Sequence, residues 1–216
     1  MAPIAIVVSI AVVAGLIAYL IWQQSQPANT ADAAAVAAEA DASPDLPGEF
    51  VNLPEIYGTD SEDAAYGDSP NTAPHVSRDV DYAEEQGLPP AGGPHWGSSR
   101  CTDDPDTSPT FCGPVTLGFY RVAWDAGSLI HNMEHSGVVV WYNTTDEAII
   151  DDLQDFAEDK RNRFLVVSFY PEMEAETVAI TSWSRRLIMS VSEYDREMLD
   201  EFFDVHECRF DPEGFC

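Results

Sequence analysis

The sequence predicts a small α+β domain with a mainly antiparallel sheet, two flanking helices and long Gly/Pro-rich loops, preceded by one transmembrane helix. Three observations predict this class. Short runs of β-branched and aromatic residues recur in the C-terminal half, as strands require. Two longer segments place apolar residues at the spacing of one helical face. An uncharged apolar run opens the chain of 216 residues, which leaves enough sequence for one compact domain.

The N-terminal apolar run, residues 4–22, reads IAIVVSIAVVAGLIAYLIW and carries no charge. This is the length that a helix needs to cross the hydrocarbon core, and Tyr19 and Trp22 lie at its end, where amphipathic aromatics prefer the membrane interface. A cleaved secretory signal is the alternative, with residues 31–33 (ADA) as a processing site. We expect residues 1–22 to be an uncleaved, single-pass anchor in the cell membrane.

Residues 23–74 contain no Lys or Arg and are dominated by Ala, Pro, Asp, Glu and Ser. Because this composition offers little apolar surface to bury, it predicts an acidic Ala/Pro-rich tether. All ten Lys and Arg residues lie at Arg78 or beyond, and this shift predicts a globular domain over residues 75–216. Within the tether, we expect only the apolar patch 50–57 to dock onto a neighbouring surface.

Four runs in the globular part predict strands and two predict helices. The strand runs are residues 138–142, 164–170, 178–183 and 187–191, and the helical segments are residues 146–160 and 192–205. In both helical segments the apolar residues share one face, and Ser192 is the expected N-cap of the second. The stretch 87–117 is rich in Gly and Pro, which predicts an irregular loop of the kind that often carries function.

The charge balance excludes one class of partner. The chain has 10 Lys and Arg against 38 Asp and Glu, a net charge of -28. Because such a surface repels phosphates, we expect no binding of nucleic acid. Acidity alone attracts cations and basic partners without naming a ligand.

The four cysteines, Cys101, Cys112, Cys208 and Cys216, form two close pairs along the chain. None has the C-x-x-C spacing of a zinc or redox motif. Sequence proximity favours disulfide bonds within each pair, without excluding a cross-link between the pairs. Because disulfides persist only in oxidising compartments, we expect the C-terminal domain to be extracytoplasmic.

The strongest chemical signal is the segment His131-Asn132-Met133-Glu134-His135, directly before the first predicted strand. In a helix, His131 and His135 would share a face; in an extended segment, Met133 would join them. Imidazole binds copper, zinc, iron or nickel, and a thioether favours copper. The segment therefore predicts a metal site, with copper as the metal and zinc as the alternative.

Two upstream histidines complete the expected site. His95 lies in PPAGGPHWG, where prolines and glycines would hold a third ligand without a helix. His75, at the end of the tether, is a candidate fourth ligand, and Glu134 would orient an imidazole or bind the metal itself. His206 is interpreted as structural. The predicted metal-site residues are His95, His131, His135, Met133, His75 and Glu134.

These residues carry a resemblance to a bacterial family of membrane-anchored domains of unknown function, numbered 3105. Its signature H-[NS]-[LM]-E-H-G-G-V-V-[IV]-W-Y is similar to residues 131–142 (HNMEHSGVVVWY), and its P-P-x-S-G-P-H-[WY] element is similar to residues 89–96. The chain departs from these patterns at Gly92 and Ser136, and it has Met133 where Leu is usual. The resemblance implies a single N-terminal span but no agreed activity, so the metal hypothesis rests on residue chemistry.

The HNMEH segment also matches H-x-x-E-H, the inverted zincin pattern, in which two histidines bind zinc and Glu134 would act as general base. The strand predicted immediately after it is unlike the sustained helix that a zincin needs. We therefore favour a copper-binding protein without catalytic activity of its own, acting as accessory subunit of, or copper donor to, a membrane copper enzyme such as an oxidase or monooxygenase. A zinc metallopeptidase and a metal-free docking subunit are the alternatives.

Overall fold

The computed structural model describes residues 39–58, 75–76, 78–97, 112–212 and 214–216. The predicted anchor over residues 1–22 lies outside these ranges. Within them, no helix is long and apolar enough to cross a membrane.

Eight strands make up the sheets of the described ranges. They are β1 (Glu49–Phe50), β2 (His75–Val76), β3 (His95–Trp96), β4 (Gly118–Ala123), β5 (Val138–Asn143), β6 (Leu165–Phe169), β7 (Thr177–Ser182) and β8 (Arg185–Ser190). Six of them form one sheet in the order β1-β8-β7-β5-β6-β4, and β2 and β3 form a separate parallel pair. The four predicted strands correspond to β5, β6, β7 and β8.

Five α-helices accompany these strands in the same ranges. They are α1 (Leu53–Tyr57), α2 (Tyr82–Glu85), α3 (Ala126–Glu134), α4 (Glu147–Asp159) and α5 (Arg196–His206). The two predicted helices correspond to α4 and α5. Helix α5 begins later than expected because the carboxylate of Asp195, and not Ser192, caps it by accepting a hydrogen bond from the Glu197 amide.

The α+β class is confirmed, but the large sheet is mixed where a mainly antiparallel one was expected. The pairs β1-β8, β8-β7 and β7-β5 are antiparallel, whereas β5-β6 and β6-β4 are parallel. Helix α4 connects β5 to β6, and a helical crossover of this kind joins parallel neighbours. Strand β4, which the sequence pattern did not reveal, adds the second parallel pair.

The large sheet divides the core into two layers. Along β5, Val139 and Trp141 pack with the residues of α3, while Val138 and Val140 pack with those of α4 and α5. This alternation follows from the two-residue period of a strand. Helix α3, which carries the HNMEH segment, therefore lies on the face opposite the two amphipathic helices.

Residues 39–58 belong to this folded unit although they fall within the predicted tether. Strand β1 pairs with β8, and Leu53 and Tyr57 are buried on the α3 face. The guanidinium of Arg185 donates hydrogen bonds of 2.8 Å to the carbonyls of Asp41 and Gly48. Residues of the patch 50–57 thus pack against the neighbouring surface of the domain.

One of the two expected disulfide pairings is present among the described residues. Cys208 and Cys216 are joined, closing the C-terminal loop. Cys112 is also disulfide-bonded, and Cys101 lies outside the described residues. The pairing of the C-terminal cysteines agrees with their proximity in sequence.

His206 joins α5 to the N-terminal segment. Its Nε2–H donates to the Pro47 carbonyl at 2.9 Å, and its Nδ1 accepts from Arg209 Nε at 2.8 Å. Burial lowers the pKa of His206 to about 4, and the charge on Arg185 adds to this effect. The ring is therefore held neutral as a structural element, as the sequence interpretation proposed.

Leu53→Ala tests whether residues 39–58 are part of the core. Because Leu53 is fully buried, we expect the free energy of unfolding to fall by about 2–5 kcal/mol. Ile56→Ala, in the same helix at a position 37% exposed, should cost less than about 1 kcal/mol. Urea denaturation of both variants measures the difference, and equal effects would show that the segment is not packed as described.

His206→Gln tests the neutral state of the buried histidine in metal-free protein. The unfolded chain protonates His206 below about pH 6.5 while the native ring resists protonation down to about pH 4. Native stability should therefore decrease over that window, by roughly 3 kcal/mol from this group. Glutamine keeps a donor and an acceptor without titrating, so its urea-unfolding profile should be flatter between pH 6.5 and 4. Parallel profiles would contradict the assignment.

Candidate metal centre

Three segments of the chain meet at one buried point beside α3. His75 and His95 are directly paired residues of the parallel strands β2 and β3, and β3 packs against α3. On α3, His131 and Glu134 lie one turn apart and share a face. The structure therefore brings together four of the six predicted site residues.

The ligand atoms of His75, His95, His131 and Glu134 all lie within 4.8 Å of one another. Oε2 of Glu134 is 2.9 Å from Nε2 of His75, 2.9 Å from Nε2 of His95 and 3.9 Å from Nε2 of His131. Around a tetrahedral ion with bonds of 2.0–2.1 Å, neighbouring ligand atoms are roughly 3.3 Å apart. The distances to the carboxylate oxygen lie on either side of this value, so the four groups are close enough for one ion to bind them after the side chains adjust.

Backbone carbonyls determine which ring nitrogens face the centre. Nδ1 of His95 lies 2.9 Å from the Gly93 carbonyl, and Nδ1 of His131 lies 2.7 Å from the Trp96 carbonyl. A carbonyl only accepts, so each Nδ1 carries the proton and donates it. In a neutral ring the Nε2 lone pair is then left to face Glu134. Hydrogen bonds of this kind are the usual way in which proteins orient metal-binding histidines.

The centre is almost closed to solvent on three of its four members. The side chains of His95, His131 and Glu134 are 0%, 3% and 1% exposed, whereas that of His75 is 42% exposed. Burial lowers the pKa of His131 to about 3, with further lowering by His95, so its ring is neutral at pH 7. A buried carboxylate needs hydrogen-bond donors or a positive charge nearby, and a bound cation would balance its charge.

Glycines allow the close approaches that build the centre. Gly93 has a φ of +100°, and a Cβ there would lie 2.5 Å from the ring of Tyr57. Gly127 lies in α3 opposite β3, and a Cβ there would lie 2.6 Å from Cδ1 of Trp96. These positions let the loop before His95 and the strand carrying it lie directly against α1 and α3.

The two remaining predicted ligands are placed differently. His135 is the C-cap of α3, and its ring lies 4.6 Å from that of His131 and 4.3 Å from that of Phe215, between centroids. Met133 lies about 200° around the helix from His131, and its fully buried sulfur accepts from the Thr181 hydroxyl at 3.8 Å. The helical form of the segment thus turns Met133 into the core, and Glu134 instead of His135 joins His131 in the group.

This placement also bears on the inverted zincin alternative. That mechanism needs both histidines of H-x-x-E-H on the metal and leaves the glutamate to act as base. Here Glu134 is a member of the four-residue group, and His135 is outside it. The pattern matches in sequence but not in geometry.

The fold and the group of three histidines around the buried carboxylate of Glu134 define a class, a small α+β domain with a candidate metal centre. The family model described as "Protein of unknown function (DUF3105)" matches residues 75–214, and the chain belongs to this family. The matched range contains all four residues of the centre. No curated protein and no solved structure matches the chain.

Gly127→Ala tests the contact between α3 and β3. Alanine favours a helix by up to about 1 kcal/mol over glycine, but the clash with Trp96 should dominate and lower the free energy of unfolding by about 1–3 kcal/mol. In a Trp96→Leu background the same substitution should cost less, because the clashing ring is gone. Chemical denaturation of the four proteins gives the coupling, and a Gly127→Ala variant as stable as the parent would contradict the packing.

Proposed function

We propose that this domain binds one divalent transition-metal ion through His75, His95, His131 and Glu134, and that the ion is copper(II), with zinc as the alternative. The observation that carries the proposal is the convergence of three imidazoles on one buried carboxylate. Two of the rings are already oriented by carbonyl hydrogen bonds that leave Nε2 for a ligand. A divalent ion would bind the ring nitrogens and balance the charge of the buried carboxylate.

The donor set determines which metals suit the centre. Three imidazole nitrogens and one carboxylate oxygen favour zinc or copper(II), and the soft thioether that would favour copper(I) lies in the core at Met133. Among the first-row divalent ions, copper(II) has the highest intrinsic affinity for such ligands. Zinc would accept the same four groups in a tetrahedron.

The number of protein ligands supports a role in binding a metal ion rather than a role in catalysis. Four protein donors fill a tetrahedral zinc ion or the four close positions of tetragonal copper(II), whereas catalytic zinc sites keep a position for water. The Cys208–Cys216 disulfide supports an oxidising, extracytoplasmic setting. We infer that the protein serves as an accessory subunit of, or copper donor to, a membrane copper enzyme such as an oxidase or monooxygenase, held near it by the expected N-terminal anchor.

His131→Ala and His135→Ala form the matched pair that tests this function, since both change a histidine of the same motif. The parent chain should bind one equivalent of copper(II), and His131→Ala should weaken binding at least about 100-fold by removing a buried ligand. His135→Ala should stay within about threefold of the parent. Elemental analysis and competition titrations with copper(II) and zinc make the comparison.

Three outcomes would contradict parts of this assignment. Equal losses in the two variants would restore His135 as a ligand. Tighter binding of zinc than of copper(II) would change the assigned metal from copper(II) to zinc. If the parent chain binds neither ion, the metal-free docking subunit is the alternative that remains.

A further inference from the structure

The four groups of the centre differ sharply in access. The His75 side chain is 42% exposed, whereas those of the other three are at most 3% exposed. An incoming ligand must reach the ion by a path that the protein leaves open. Within the described part of the chain, the position of His75 is where solvent meets the centre.

The ligands also differ in the elements that carry them. His95 and His131 are each fixed by a carbonyl hydrogen bond at Nδ1 and by surrounding packing. His75 comes from β2, which pairs with β3 through two residue pairs among the described residues. Its ring is nearly equidistant from the other two, with centroids 5.0 Å from His95 and 4.9 Å from His131, and its side chain is the most exposed of the four groups. Moving His75 outward would therefore disturb the least buried structure.

On the basis of the metal site proposed above, we propose that His75 is the exchangeable ligand of that site. The bound ion passes to an acceptor molecule by ligand substitution at the position of His75. An imidazole nitrogen of the acceptor forms a bond to the ion as the bond to Nε2 of His75 breaks, and His75 leaves as a neutral ring. The ion keeps its oxidation state, and the other three ligands hold it during the exchange. The partner implied is a copper acceptor that presents histidine at this edge.

His75→Ala in the full-length chain tests this role against His95→Ala. The His75 variant should still bind one copper(II), about 10–100-fold more weakly, because the three buried ligands remain. Free imidazole should enter the vacated position and restore the parent spectrum. In the His95 variant the lost ring is buried, so free imidazole should not restore the parent spectrum.

Electron paramagnetic resonance of bound copper(II) provides the readout, because nitrogen ligands split the signal. We expect three nitrogens in the parent, two in His75→Ala, and three again after imidazole is added. In stopped flow, transfer of copper to a colorimetric chelator should be at least about tenfold faster from His75→Ala than from the parent, since the substitution position is already open.

The results separate this proposal from the metal site itself. If the parent binds copper(II) but His75→Ala binds none, or takes up no imidazole, the exchange role is overturned while the site stands. Imidazole rescue of His95→Ala to the same extent would also overturn it. If the parent binds no metal, both proposals fail together.

Discussion

The buried carboxylate of Glu134 is the constraint on which the architecture of the centre depends. It is 1% exposed and lies 2.9 Å from Nε2 of both His75 and His95. A buried charge must be balanced, and the imidazoles of His75 and His95 contact this carboxylate directly. The placement of β2, β3 and α3 is consistent with a cation at the point where these groups meet.

The sheet gives this centre a rigid support. Helix α3 packs on one face through Leu129, Ile130 and Met133, while α4 and α5 cover the other face. Residues 39–58 complete the layer around α3, and Gly93 brings the loop before His95 against Tyr57. Binding of an ion would connect three distant segments of the chain, so metal affinity and folding stability would be coupled.

Much of the scaffold was predictable because it follows local patterns. The β-branched runs of β5, β6 and β7 and the amphipathic spacing of α4 and α5 are local properties of the sequence. Strand β4 was missed because its sequence, GFYRVA, is mixed in polarity and lies at an edge where three residues are exposed. The parallel pairs were missed because they depend on how α4 crosses the sheet, which no local run encodes.

The sequence by itself determined the chemistry available to this protein: imidazoles at positions 75, 95 and 131, a carboxylate at 134 and a C-terminal disulfide pair. Only the tertiary structure decided which groups meet. Helical geometry at 131–134 puts Glu134 beside His131 and turns Met133 into the core, and α3 ends before His135. The contact of His75 with His95 depends on parallel pairing between segments twenty residues apart, a tertiary contact that spacing along the chain does not specify.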